Sequence, residues 1–151
     1  MTDPRIAGAG VTQFGKHPER TGRDLFAEAG LEALDASGVD PADVEALYYG
    51  NFMGELAEHQ GHQGPLMAEA IGVDAPATRL EAACASAGAA VREAVKTLRN
   101  GESDVVVVGG AEWMTNIGTA AATDDGAIAA DDHYEIRAWI TCPRPHALMG
   151  P

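Results

Sequence analysis

Cys84 is the residue of this 151-residue sequence best placed to do chemistry. It follows Ala77 to Ala83, which reads as a strand, and precedes Ala85 to Asn100, which reads as a helix closed by Gly101. A thiol at such a turn faces unpaired backbone N–H groups and the positive end of the helix dipole, both of which favour the nucleophilic thiolate. Its neighbours Ala82, Ala83, Ala85, Ser86, Ala87 and Gly88 are small and leave room for a substrate. The same strand-to-helix turn presents nucleophiles in other α/β enzymes. Free cysteine is also among the most buried residue types, so position alone leaves a structural cysteine equally open. The other cysteine, Cys142, lies far away with no CxxC spacing, which argues against a disulfide framework or a cysteine-built zinc site.

Two other patterns compete. Glu55, Glu58, His59 and His62 include a His-x-x-His spacing that can converge on one metal ion, but no third ligand pattern completes it. Gly8-Ala9-Gly10 after an apolar segment suggests a dinucleotide-binding turn, yet the third glycine position is Gln13 and a polar loop follows instead of a helix. His17, His133 and His146 read as solvent-exposed, and Asp124-Asp125 and Asp131-Asp132 as solvated loop charges.

The elements that must position Cys84 alternate strand and helix. Arg5 to Val11 reads as a first strand. A helix from Gly22 to Ser37 follows, with Thr21 and Asp24 at capping-box spacing, Leu25, Phe26, Ala29, Ala33 and Leu34 on one face, and Gly38 as terminator. Asp40-Pro41 starts a single turn. Ala46 to Phe52 has the aromatic content of a second strand, with Gly50 marking a bulge or a close backbone contact. After a Gly54–Gly64 loop, Pro65 opens a helix to Gly72, and Pro76 releases the strand that leads to Cys84. The following helix carries Val91, Val95 and Leu98 on a common face. Val105 to Val108 is a continuous β-branched run of the kind buried on both faces of a sheet. The fold class is therefore α/β, with a largely parallel central sheet flanked by helices. Thr115 to Asp132 is alanine, glycine, threonine and aspartate with little periodicity, and Thr141 to Pro151 carries three prolines, so 115–151 reads as an irregular excursion from a domain spanning 1–114.

Composition narrows the partners. A chain 46% hydrophobic and 22% charged has enough apolar side chains for one core. No apolar run approaches the ~20 residues of a membrane span, and the start carries no visible export segment, so a cytoplasmic location is expected. A net charge of −13, with Lys16 and Lys96 the only lysines, repels phosphate backbones and anionic membranes. Neither a nucleic acid nor a membrane is an expected partner, and 5% aromatic content supplies no base-stacking platform. The acidic, lysine-poor, alanine-rich composition suits a surface hydrated at high salt, and equally an ordinary acidic cytosolic protein.

Three segments together carry a family resemblance. Glu81-Ala82-Ala83-Cys84-Ala85-Ser86-Ala87-Gly88, followed after a helix by Val105 to Val108 and Gly109-Gly110-Ala111-Glu112-Trp113-Met114-Thr115, resembles the N-terminal half of a thiolase. The opening Ile6 to Gly15 is similar to the archaeal-type and sterol-carrier-type members. The match covers roughly Arg5 to Thr123, and 115–151 matches only loosely. The resemblance implies a mixed, mostly parallel five-stranded sheet. It implies an acyltransferase, an acetyl-CoA C-acetyltransferase or 3-ketoacyl-CoA thiolase, in which Cys84 attacks an acyl-CoA thioester and carries the acyl group to coenzyme A or to the enolate of a second acetyl-CoA. No metal or redox cofactor is implied, since acyl-CoA and coenzyme A are the substrates. Part of the oxyanion hole would come from the Cys84 backbone N–H, and Met114 would pack near the site, a plain core methionine being the alternative. The stretch Asn51 to Gly64 would be structural or interfacial.

Full-length thiolases add a second half that supplies an activating histidine, a second catalytic cysteine and an asparagine or histidine of the other oxyanion hole. None of these is assigned here, and Cys142-Pro143-Arg144 does not resemble the second-half cysteine motif. The resemblance thus implies a fragment, a split-gene half or a decayed copy. It also implies a homodimer formed at the edge strand Ala77 to Ala83, or assembly with a C-terminal half. The alternative is a non-catalytic interaction module that keeps the half-fold.

Overall fold

The computed structural model describes residues 3–114, 117 and 127–129. Helix α1 spans Gly22–Ser37, as its cap residues dictate. Thr21 Oγ1 accepts from the Asp24 N–H while the Asp24 carboxylate accepts from the Thr21 N–H, and Gly38 ends the helix in the left-handed conformation with φ 69°. Gly22, Phe26, Gly30 and Leu34, four residues apart, form its buried stripe.

Strand β1 (Ala46–Gly50) is the centre of a parallel three-stranded sheet of order β2-β1-β3, with β2 at Ala77–Leu80 and β3 at Val106–Gly110. The single turn α2 (Gly54–Ala57) and helix α3 (Gln63–Ala70) connect β1 to β2, and helix α4 (Ser86–Asn100) connects β2 to β3. Alternation along β1 sends adjacent tyrosines to opposite faces. Tyr49 meets the Phe26 ring of α1 edge-on at 5.2 Å, whereas the Tyr48 hydroxyl pairs with Thr97 Oγ1 of α4 at 2.7 Å. Helices therefore cover both faces. Phe26, Leu34, Leu47, Tyr49, Met67 and Ile71 belong to the buried cluster under α1 and α3.

Four expectations change. The sheet holds three strands among the described residues where five were expected. Arg5 to Val11 is not a strand: Gly8 and Gly10 lie directly against the α1 backbone at Ala33 and Ala29, and the Val11 N–H donates to Glu32. The segment therefore lies along the helix without joining the sheet, and Ile6 is left 91% exposed. The valine run is not buried on both faces, because β3 is an edge strand of the described sheet and Val108 is 38% exposed. The buried stripe of α4 is Ser86, Ala90, Ala94 and Thr97, while Val91 is exposed. Small side chains win that face because the helix starts in backbone contact with Gly50. Elsewhere α3 begins at Gln63, two residues before Pro65, and β2 stops at Leu80, three residues before Ala83. Residues 115, 116, 118–126 and 130–151, which include Cys142, His133, His146 and both aspartate pairs, lie outside the described residues.

The core also fixes an alkaline limit. Tyr49 is fully buried and donates its hydroxyl to Ala111 O at 3.0 Å. Burial pushes its pKa far above the usual phenol value, and the charges of Glu112 and Glu58 push the same way. A group held protonated in the folded state contributes stability that is complete below its unfolded pKa of ~10 and is lost as pH rises beyond it. Tyr49→Phe is expected to cost about 1 kcal/mol at neutral pH through the lost hydrogen bond and to flatten the alkaline decline. Urea midpoints measured across the alkaline range for both proteins check this, and an equally steep decline in the variant contradicts it.

Candidate active site

Cys84 sits in a short 3-10 turn, Ala83–Ala85, between the end of β2 and the start of α4, and its side chain is exposed. Ser86 closes the turn. Its buried hydroxyl accepts from the Ala82 N–H at 2.9 Å and donates to Ala83 O at 2.7 Å. The Glu81 carboxylate accepts from the Ala83 N–H, and the Ala85 N–H donates to Ala82 O. These bonds hold Ala83 at φ 47°, a conformation an alanine rarely adopts, immediately before the cysteine. The strand-to-helix turn expected at Cys84 is present, sharpened by one 3-10 turn.

The carboxyl ends of the parallel strands converge beside this turn, where α/β sheets place their ligands. Gly50 and Gly110 are paired across β1 and β3, and a Cβ at Gly50 would sit 2.6 Å from the Ala87 backbone. This is the close backbone contact that Gly50 implies in the sequence. The result is a cleft of about 550 Å³, within the range of small-molecule sites. Cys84, Phe52, Met53, Phe14, Glu112 and Met114 are among its lining residues, so Met114 and the cysteine line the same cleft. Trp113 Nε1 donates to Arg20 O at 2.5 Å and ties the segment before α1 to the end of β3.

Four side chains to which the sequence assigns no positioning role fix the turn after β1 and the start of α1. The Glu112 carboxylate accepts from the Phe52 N–H at 2.5 Å and the Met53 N–H at 3.2 Å. Asn51, 1% exposed, donates to Ala111 O and accepts from the Gly54 N–H. Arg79 of β2 donates to Phe52 O and pairs with Glu55 at 2.7 Å. Glu58 accepts from the Gly22 N–H at the start of α1. Desolvation raises the Glu112 pKa, Glu58 adds to the rise, and the two N–H donors and Arg79 oppose it. Only the glutamate of the Gly109-Gly110-Ala111-Glu112 motif gave a signal for any of these in the sequence, since each bond joins residues distant along the chain or hidden in a loop.

The histidine-rich loop does not gather a metal site. Glu55 is engaged by Arg79 and Glu58 by α1, and His59 and His62 sit in left-handed conformations, φ 50° and 62°. Among the described residues no group of three or more His, Cys, Asp or Glu side chains could hold a metal ion. Among the same residues no helix is long and apolar enough to cross a membrane.

The family model described as thiolase, N-terminal domain, matches residues 5–139, farther than the motifs alone reach. An acetyl-CoA acetyltransferase of Methanocaldococcus jannaschii is 42% identical over 99% of the chain and 38% of its own length. One from Methanothermobacter thermautotrophicus is 37% identical over 99% of the chain and 39% of its own length. The chain thus spans less than two fifths of the length of these relatives. A solved acetyl-CoA acetyltransferase of Syntrophomonas wolfei superposes with a TM-score of 0.68 at 21% identity, over 75% of this chain and 29% of that one, and shares the fold. By sequence match and by fold, the chain belongs to the thiolase family as a thiolase N-terminal domain.

Proposed function

We propose that the chain supplies the nucleophile-bearing part of a thiolase-type acyltransferase, an acetyl-CoA C-acetyltransferase or 3-ketoacyl-CoA thiolase, with Cys84 as the acyl carrier. The observation that carries this reading is the exposed thiol at the β2–α4 junction, lining a cleft of about 550 Å³. The names of the relatives support the same chemistry.

In the proposed reaction the Cys84 thiolate attacks the thioester carbonyl of an acyl-CoA. A carbon–sulfur bond forms to Cys84, the bond to the coenzyme sulfur breaks, and coenzyme A leaves carrying the proton that Cys84 gave up. The acyl group then passes to a coenzyme A thiolate or to the enolate carbon of a second acetyl-CoA, and the Cys84 thiolate is regenerated. Each half-reaction passes through an oxyanion, for which one preorganised donor commonly supplies ~3 kcal/mol. The Cys84 backbone N–H is the proposed donor within this chain. No metal or redox group enters these steps.

Residues 1–114 form the proposed α/β unit and 115–151 a separate loop region. The proposed assembly is a homodimer, or a complex with the remainder of a thiolase, through the edge strand β2, and the proposed location is the cytoplasm. The partly exposed residues of β2 and its edge position in the sheet support the contact.

The test combines this chain with the portion of the M. jannaschii relative that it does not span, and follows thiolysis of acetoacetyl-CoA. Activity that Cys84→Ala abolishes is expected. A complex that forms without turnover, or turnover that survives Cys84→Ala, contradicts the reading.

A further inference from the structure

We propose that Glu112 is a positioning residue whose carboxylate holds Phe52, backed by the buried Met53, in place as the apolar wall of the Cys84 cleft, against which the carbon chain of an acyl group packs. This rests on the reading of the cleft as the acyl site.

The geometry begins where β1 stops pairing. Gly50 is the last β1 residue in register with β3, and the chain then turns through Asn51, Phe52 and Met53 into α2. The N–H groups of Phe52 and Met53 have left the sheet ladder, and Glu112, two residues past β3, gives each an oxygen. An unmade hydrogen bond beside an apolar surface is costly, so the carboxylate sets where this turn sits. Arg79 holds the Phe52 carbonyl from β2, and Asn51 bridges Ala111 O to the Gly54 N–H. All three strands thus fix one turn, whose partly exposed Phe52 lines the cleft that also contains Cys84, with Met53, 1% exposed, packed behind it.

Two N–H donors need two acceptor oxygens. The ionised carboxylate has both. A glutamine has one, with an NH₂ group turned toward the other donor, and a protonated carboxyl is short of an acceptor in the same way. The charged or titratable groups facing Glu112 are Arg79 of β2, Glu58 after α2 and Tyr49 of β1, with Glu55 reaching it through Arg79 and His17 lining the same cleft.

The experiment uses the purified 151-residue chain and two probes of the same thiol, iodoacetamide and N-hexyl iodoacetamide, with Cys84→Ala as the control for site. The ratio of the two alkylation rates cancels the ionisation of Cys84 and reports the apolar wall alone. In the unaltered chain the hexyl reagent is expected to react faster by about tenfold, the ratio falling as pH drops and Glu112 takes up its proton. In Glu112→Gln the ratio is expected to approach one and to lose its pH dependence. A residue that only stabilised the fold would shift both rates together and leave the ratio and its pH profile unchanged.

The proposal is overturned by an undiminished ratio in folded Glu112→Gln, or by a pH profile that the variant keeps. Where the variant does not fold, the unaltered chain decides alone, and a ratio flat through the carboxylate range overturns it. Failure of acetyl-CoA to acetylate Cys84 even with the remaining portion of the M. jannaschii relative present, while the ratio falls in Glu112→Gln, would instead sink the acyl-site reading and leave the Glu112 clamp standing.

Discussion

Gly50→Ala is expected to cost roughly 3 kcal/mol and to displace the turn that carries Cys84. A Cβ built at Gly50 lies 2.6 Å from both N and Cα of Ala87 and 2.7 Å from the carbonyl carbon of Ser86. These are backbone atoms of the first turn of α4, so no side-chain rotation relieves the clash and the helix must move. Ser86 is the residue whose hydroxyl closes the loop onto Ala82 and Ala83, so moving it loosens the turn that holds Cys84. The cost belongs at the upper end of the ~1–3 kcal/mol typical of overpacking, because the obstacle is main chain. At about 2–4 °C per kcal/mol for a protein of this size, melting should fall by roughly 10 °C.

Gly88 provides the internal control. It lies in the same helix with nothing within 4 Å of a built Cβ. Gly88→Ala is expected to stabilise the protein by up to about 1 kcal/mol through helix propensity. Thermal unfolding of the two variants should therefore move in opposite directions. A Gly50→Ala melting temperature equal to that of the unaltered chain would mean that the approach of α4 to β1 is not as close as described.

The local parts of this structure were legible in the sequence, and the long-range parts were not. Thr21, Asp24 and Gly38 set both ends of α1 because capping is decided within a few residues, and the observed helix, Gly22–Ser37, has the bounds the sequence predicts. Gly101 ends α4 for the same reason, in a left-handed conformation at φ 70°. Gly50 signalled a close contact, though not that α4 makes it.

Strand number was not legible. Arg5 to Val11 has strand-like composition, but a strand exists only where a neighbour accepts its hydrogen bonds, and here Gly8 and Gly10 let the backbone settle on α1. The valine run likewise says that β3 is apolar without saying that it is an edge. At the site, Cys84 could be placed on a strand-to-helix turn from its neighbours alone. The positive φ at Ala83 could not, because alanine gives no warning of a left-handed backbone. Glu112, Asn51 and Arg79 act on main-chain groups up to 60 residues away, and such pairings follow from the fold.

The second large effect concerns Cys84 itself. An exposed cysteine among residues as small as Ala83, Ala85, Ala87 and Gly88 has room to attack the carbonyl of a bulky thioester that enters from the side of the cleft. Removing it deletes the proposed acyl carrier, so acyl capture at this turn is expected to be lost outright. Cys84 lies on the exposed side of a turn whose bonds run through Ser86, Glu81 and Ala82, so Cys84→Ala is expected to stay within about 0.5 kcal/mol of the original stability. Loss of capture with an unchanged urea midpoint separates chemistry from folding.

The most direct measurement is the intact mass of the purified chain after incubation with acetyl-CoA, followed by peptide mapping, with Cys84→Ala in parallel. One acetyl group is expected, located on Cys84 and absent from the variant. An acetyl group on another residue, or none on the folded chain even after the remaining portion of the M. jannaschii relative is added, would contradict the assignment of Cys84 as the acyl carrier.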